Sequence, residues 1–343
     1  MGSVRAGSSR SRCVAALVAG AIALAGCGGS GSSSTRSHAA ASKRASSAGS
    51  PVLTALSATA IGSLPAAVEG AAIAPLTGGR LALLGGINSS DTSTDAIVSL
   101  NGGAASQAGT LPAPQHDAQA ATLGSYTYVF GGGQFSSYQH ILRYDPSSGA
   151  VTQVGDLPAP ASDVAVVSIG NTAYIVGGYN GVAPLDTIVA WSPGSAPTVV
   201  AHLSVGLRYA AVAVAGSRII IAGGTESGGV SNAIFSFDPA NRQVTTLGQL
   251  PSPLTHASAA FIDGRVVVIG GRRQVSGGQT ASILAIDPST GAVTTVGQLP
   301  QPLSDAAVAL TGDRITVAGG DTGNGPQSSI LALTPKATVA SGA

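Results

Sequence analysis

From about residue 52 onward, apolar runs of about five residues alternate with clusters of Gly, Pro, Asn and Asp, the pattern of strands joined by hairpin turns. Four kinds of run follow one another in a fixed order. The first is rich in small residues, as in Ala118 to Leu123, Ala210 to Ala215 and Ala306 to Thr311. A tight turn with Gly near its tip leads into the second, such as Arg218-Ile-Ile-Ile-Ala222 or Arg265-Val-Val-Val-Ile269, which ends in a double glycine. The third is rich in Ile and Leu and finishes on a large apolar residue, as in His140 to Tyr144, Thr187 to Trp191 and Ala233 to Phe237. The fourth is rich in Thr and Val, as in Val244-Thr-Thr-Leu247.

Two markers repeat in step. Double glycines fall at Gly85-Gly86, Gly131-Gly132, Gly177-Gly178, Gly223-Gly224, Gly270-Gly271 and Gly319-Gly320, spaced 46, 46, 46, 47 and 49 residues apart. Leu-Pro or its equivalent falls at Leu64-Pro65, Leu111-Pro112, Leu157-Pro158, Leu203-Ser204, Leu250-Pro251 and Leu299-Pro300, spaced 47, 46, 46, 47 and 49. Six four-stranded units of fixed period predict an all-β, six-bladed propeller. A fourth-strand motif at Ala58 to Pro65 precedes any first strand, and the last unit stops after its third strand at Ser329 to Leu333. The N-terminal strand is therefore expected to complete the sixth blade and close the ring, leaving no free sheet edge there.

With these motifs in place, the chain resembles the kelch-repeat propeller family over about residues 52 to 336. The double glycines, the Tyr144-Asp145-Pro146, Phe237-Asp238-Pro239 and Ile286-Asp287-Pro288 stretches, and the terminal Leu-Pro carry the resemblance. The family's usual fourth-strand Trp is replaced by Val151, Val244 and Val293.

Composition narrows the functional classes. Only 9% of residues are charged and 4% aromatic. Residues 52 to 343 hold ten basic and fifteen acidic residues, which argues against nucleic acid as a partner. Residues 1 to 51 hold six basic residues and no acid. Arg5, Arg10 and Arg12 precede a twelve-residue apolar stretch, Val14 to Ala25, too short for a spanning helix and suited to an export signal. Its end, Leu24-Ala25-Gly26-Cys27, resembles the bacterial lipobox, which implies lipidation at Cys27 and a mature chain without disulfides. The expected organisation is a signal peptide over 1–26, a lipidated Cys27 with a Ser/Gly/Ala-rich tether over 27–51, and the propeller over 52–343. The expected location is the outer face of a bacterial membrane, held by the N-terminal lipid, as a monomer.

Candidate chemistry follows from repeat phase. Five residues past each Leu-Pro lie Gly70, Asp117, Asp163, Tyr209, His256 and Asp305; one position earlier lie Glu69, His116, Ser162, Arg208, Thr255 and Ser304. Equivalent positions on six blades face one axis, so Glu69, His116, Asp117, Asp163, Arg208, Tyr209, His256 and Asp305 are expected to form a ligand-binding rim at the channel mouth. Such groups accept from a cation, an amine or sugar hydroxyls, or they cap strand ends. The second-to-third-strand loops, polar and varied in length, also reach the mouth; in them Arg272-Arg273 reads as a solvated pair or an anion holder. Asp95, Asp186 and Asn232 read as turn or cap residues, and Arg80, Arg218, Arg265 and Arg314 as solubilising charge on the opposite face.

No cofactor, metal or catalytic residue is expected. The leading reading is a non-catalytic binding module for a protein or an envelope glycan. Copper radical oxidase chemistry needs a Cys–Tyr crosslink, and no Cys follows Cys27; sialidase boxes are missing from the sequence. The resemblance leaves one enzymatic alternative, a kelch-type epimerase or mutarotase acting on sialic acids, with Arg208 and either His256 or Asp305 in the working roles.

Overall fold

A computed structural model describes residues 53–336. The signal peptide, Cys27 and the tether lie outside the described residues. Six antiparallel blade sheets follow the repeat, five of four strands and the last of five, where the two-residue strand Ile87–Asn88 adds to the end of the N-terminal strand; Thr225–Glu226 and Gly229–Val230 form a separate small hairpin. Blade 1 runs from Ala72–Pro75 at the axis to Ala104–Thr110 at the rim, and blade 2 from His116–Leu123 to Val151–Asp156. Blades 3, 4 and 5 run from Ala165–Ile169 to Thr198–His202, from Ala211–Ala215 to Gln243–Gln249, and from Ser258–Ile262 to Val293–Gln298. Blade 6 takes Ala307–Thr311, Arg314–Ala318 and Gln327–Pro335 from the C-terminal end and Leu56–Glu69 from the N-terminal end.

The N-terminal strand is thus the outer strand of the last blade. Leu56 stands opposite Pro335, Ala58 opposite Leu333 and Ala60 opposite Leu331, all antiparallel. Closure hydrogen-bonds this edge of both chain ends at once.

Burial explains why the second strands are continuously apolar. Each sheet is sandwiched between two neighbours, so both of its faces are covered and alternation disappears. In blade 4, Ile219 and Ile221 enter the core shared with blade 3, while Ile220 and Ala222 enter the core shared with blade 5. Six such inter-blade cores surround the axis. The third-strand aromatics fill them: Trp191 of blade 3 meets Tyr128 and Phe130 of blade 2 edge-on at centroid distances of 4.9 and 5.5 Å. Where Val replaces the usual fourth-strand Trp, it sits opposite a large third-strand residue, Val151 against Tyr144, Val244 against Phe237 and Val293 against Ile286.

The Leu of each Leu-Pro is buried. In five of the six copies its N–H donates to the residue that opens the third strand, as from Leu111 to Asp95, Leu203 to Asp186 and Leu250 to Asn232. Asp95, Asp186 and Asn232 accept these bonds through their backbone carbonyls, and Asp186 Oδ2 also meets His202 Nδ1 at 3.1 Å.

Small first strands leave space along the axis. A cavity of about 470 Å³ runs between them, lined largely by Ala and Val and reaching from Gly70, Asp117 and Asp163 at one end to Pro75, Thr122 and Phe261 at the other.

Candidate functional site

The six positions after Leu-Pro meet at the mouth in a closed backbone ring. Asp117 N–H donates to the carbonyl of Gly70, Asp163 to Asp117, Tyr209 to Asp163, His256 to Tyr209, Asp305 to His256, and Gly70 to Asp305, at 2.8 to 3.2 Å. All six are left-handed, with φ between 54 and 59°. That conformation costs a residue other than Gly roughly 1–2 kcal/mol, and Asp and His accept it more readily than bulky side chains. Three Asp, one His and one Gly fit a structural demand. Tyr209 does not, and strain held by surrounding structure points to use.

The residue before each ring position pairs with the residue after a double glycine. Glu69 stands opposite Ile87, Ser162 opposite Tyr179, Arg208 opposite Thr225, Thr255 opposite Arg272 and Ser304 opposite Asp321. These partners bring Tyr179, Arg272 and Asp321 to the mouth; of them the sequence reading singled out Arg272 alone, as part of a basic pair. Advancing the double-glycine phase by one residue would have found them.

Side chains then link the rim across blades. The Tyr209 hydroxyl donates to Asp117 Oδ2 at 2.9 Å and accepts from Arg208 Nη2 at 3.1 Å. Arg208 Nη2 also lies 2.7 Å from Asp163 Oδ2, an ionic contact off the N–H direction. Its guanidinium covers the Tyr179 ring at 4.3 Å. His256 stacks on Tyr209 at a centroid distance of 3.6 Å, and its Nδ1 meets Thr255 Oγ1 at 3.0 Å. Arg272 Nη2 donates to Asp305 Oδ2 at 2.9 Å, and Ser304 Oγ donates to the same atom at 2.6 Å. His116 is held by Ser93 Oγ at 2.8 Å, with Nε2 3.8 Å from Asp117 Oδ2.

Two readings of arginines are corrected here. Arg272 is an ion-pair partner inside the mouth, because its blade neighbour Asp305 is buried and demands a counter-charge. On the opposite face Arg265 pairs with Asp287 at 3.2 Å and so does more than solubilise.

Burial and like charge shift the acids upward. Glu69 is raised to about 7, first by desolvation and then by Asp305 and Asp321. Asp305 is raised to about 6 by burial, opposed by Arg272. Asp117 is pushed well above the ordinary carboxylate range, first by burial and then by Asp163 and Asp305, which favours its protonated form. Burial, then Arg272 and Arg208, push His256 down to about 2, and burial raises Tyr209. Glu69, Asp305 and Asp321 each offer a carboxylate oxygen within 4.8 Å of the others, a donor set that suits a hard cation, although Arg272 already supplies positive charge to Asp305.

The fold and its repeats define a class: the protein is a six-bladed β-propeller. The kelch motif matches residues 160–195. Among solved structures, the chain is similar to one described as the structure of YjhT, with a TM-score of 0.70 and 15% identity, covering 80% of this chain and 97% of that one. No curated protein matches in sequence.

Proposed function

We propose that the mouth is the active site of a sugar mutarotase acting on acidic sugars of the sialic-acid type, on a protein carried at the outer face of a bacterial membrane by a lipid on Cys27. The observation that carries this reading is Glu69, a half-buried carboxyl raised to about 7 by desolvation and by two neighbouring acids. A group poised near neutrality, on a rim with a second acid, Asp117, whose burial favours its protonated form, is the pairing that general acid–base chemistry needs.

The roles follow from the rim. Asp117 Oδ1 overhangs Gly70, the residue after Glu69, and the reading has both carboxyls act on one bound sugar. Glu69 as carboxylate takes the anomeric hydroxyl proton while Asp117 gives a proton to the ring oxygen, and the ring C–O bond breaks. Rotation about the adjoining C–C bond and reversal of both transfers yield the other anomer with no net proton change. Arg208 and Arg272 carry buried Nε–H groups without partners, and the reading gives Arg208 the sugar carboxylate to hold. His256, stacked and held neutral, and Asp305, already paired, suit the base role less well than Glu69.

Proton NMR of a freshly dissolved sialic acid tests this. Anomer exchange is expected to run well above the buffer rate, and Arg208→Ala is expected to raise KM by roughly 10- to 100-fold with a smaller effect on kcat, as for a lost charged hydrogen bond. Wild-type exchange at the buffer rate would sink the proposal.

A non-catalytic binding module for a protein or envelope glycan is the second reading. It is favoured by Phe135, Val182 and Val275, which stand 96%, 86% and 57% exposed on second-to-third-strand loops around the same mouth. Exposed apolar tips around a polar centre suit a partner's surface. Saturable glycan binding without anomer exchange would select this reading.

A further inference from the structure

The two faces of the propeller carry opposite charge. Placed by strand ends, ten of the fifteen acidic residues lie on the mouth side, with Arg208, Arg272 and Arg273 as the only cations there among the described residues. The opposite side holds Lys336 and six arginines against five aspartates. Its charge is concentrated: Arg218, Arg265 and Arg314 open the second strands of blades 4, 5 and 6, and Arg80 immediately precedes that of blade 1, four consecutive blades of the ring. Arg80, Arg218 and Lys336 are exposed.

The chain also enters and leaves on this cationic side. Leu53 N–H donates to the carbonyl of Asp263, in the blade 5 hairpin there, at 3.1 Å, and Lys336 N–H donates to Ala55 at 3.0 Å. The stretch before the propeller adds Arg36, Lys43 and Arg44 without an acid between residues 28 and 51. The described chain thus begins, at Leu53, on the cationic side.

We infer that the face bearing Arg80, Arg218, Arg314 and Lys336 rests on an anionic bilayer surface, with the mouth turned away from it. This rests on the lipid-anchor reading of Cys27 and adds a side to it. A negative surface attracts this face and repels the acidic mouth, both within a Debye length and both screened by salt. The anchor fixes distance, and the charge asymmetry fixes which way the mouth points.

The test uses the acylated protein on vesicles, with a donor dye at one of two exposed positions, Ser217→Cys beside Arg218 or Ser227→Cys on a mouth loop, and an acceptor on the headgroups. On vesicles of phosphatidylglycerol and phosphatidylcholine, transfer from position 217 is expected to exceed that from 227 several-fold. The difference is expected to vanish on phosphatidylcholine alone, at high salt, and in the Arg80→Gln, Arg218→Gln, Lys336→Gln variant, whose three changes lie at exposed sites. Anchored protein with equal transfer from both positions on anionic vesicles, or a difference the triple variant leaves unchanged, overturns the orientation alone. Protein that does not float with vesicles overturns the anchor reading and the orientation with it.

Discussion

Alanine at Gly270 is expected to lower the free energy of unfolding by about 3–5 kcal/mol, whereas alanine at Gly264 costs about 1 kcal/mol. Both glycines are left-handed, with φ of 60 and 73°. The backbone penalty is therefore shared, and only surroundings differ. A Cβ at Gly264 meets nothing within 4 Å, while one at Gly270 overlaps the carbonyl oxygen of Leu303 in the next blade. That oxygen cannot retreat, because it accepts the N–H of Gly271 at 2.8 Å. The double glycine is thus one device in two parts, a gap that admits the neighbouring carbonyl and a donor that holds it. It recurs around the ring, and at the seam Gly320 donates to Val68 at 2.9 Å, tying the last blade to the first. Equilibrium unfolding in urea checks the pair of variants. Equal losses at both sites would mean that the glycines serve their φ angles alone.

This device shows why the fold was legible in the sequence and part of the site was not. Double glycine and Leu-Pro are local demands of the backbone, repeated in phase, so residue type alone reports them. The left-handed ring was also legible, since counting from Leu-Pro reached all six of its members. What counting could not give was the direction of side chains across the axis. Tyr209 on blade 4 reaches Asp117 on blade 2, and Arg272 on blade 5 is taken up by Asp305 on blade 6. Such pairings depend on which unlike residues a sixfold backbone happens to confront, and no period records that. Asp321 lies in phase with the double glycines, but its meeting with Glu69 and Asp305 does not follow from the phase, because it depends on which side chains face one another.

Glu69→Gln is expected to slow anomer exchange by roughly 10²-fold or more, the usual scale for a lost general base. The pH profile separates this role from a structural one. If Glu69 works as carboxylate, the wild-type rate rises with pH through about 7, the value to which burial and its acidic neighbours bring it; the Gln variant keeps only a flat residue. Stability runs the other way. Glu69 and Asp305 are raised in the fold to about 7 and about 6, so between about pH 4 and 7 the native state holds protons that the unfolded chain has released. Their contribution is therefore greatest in acid and is lost as pH rises through that window. His256 opposes them, since its unfolded imidazole gains a proton below about 6.5 while the buried ring stays neutral down to about 2. Asp117 and Asp163 are raised as well, and His116 and His140 are lowered with His256, so four acids against three imidazoles leave a net fall in stability on going from pH 4.5 to 6. In Glu69→Gln that fall shrinks, so the variant loses rate while gaining relative stability at neutral pH. Thermal unfolding across this range, read beside the exchange rate, checks both at once, and a variant that lost rate and stability together would point to collapse of the mouth in place of a missing base.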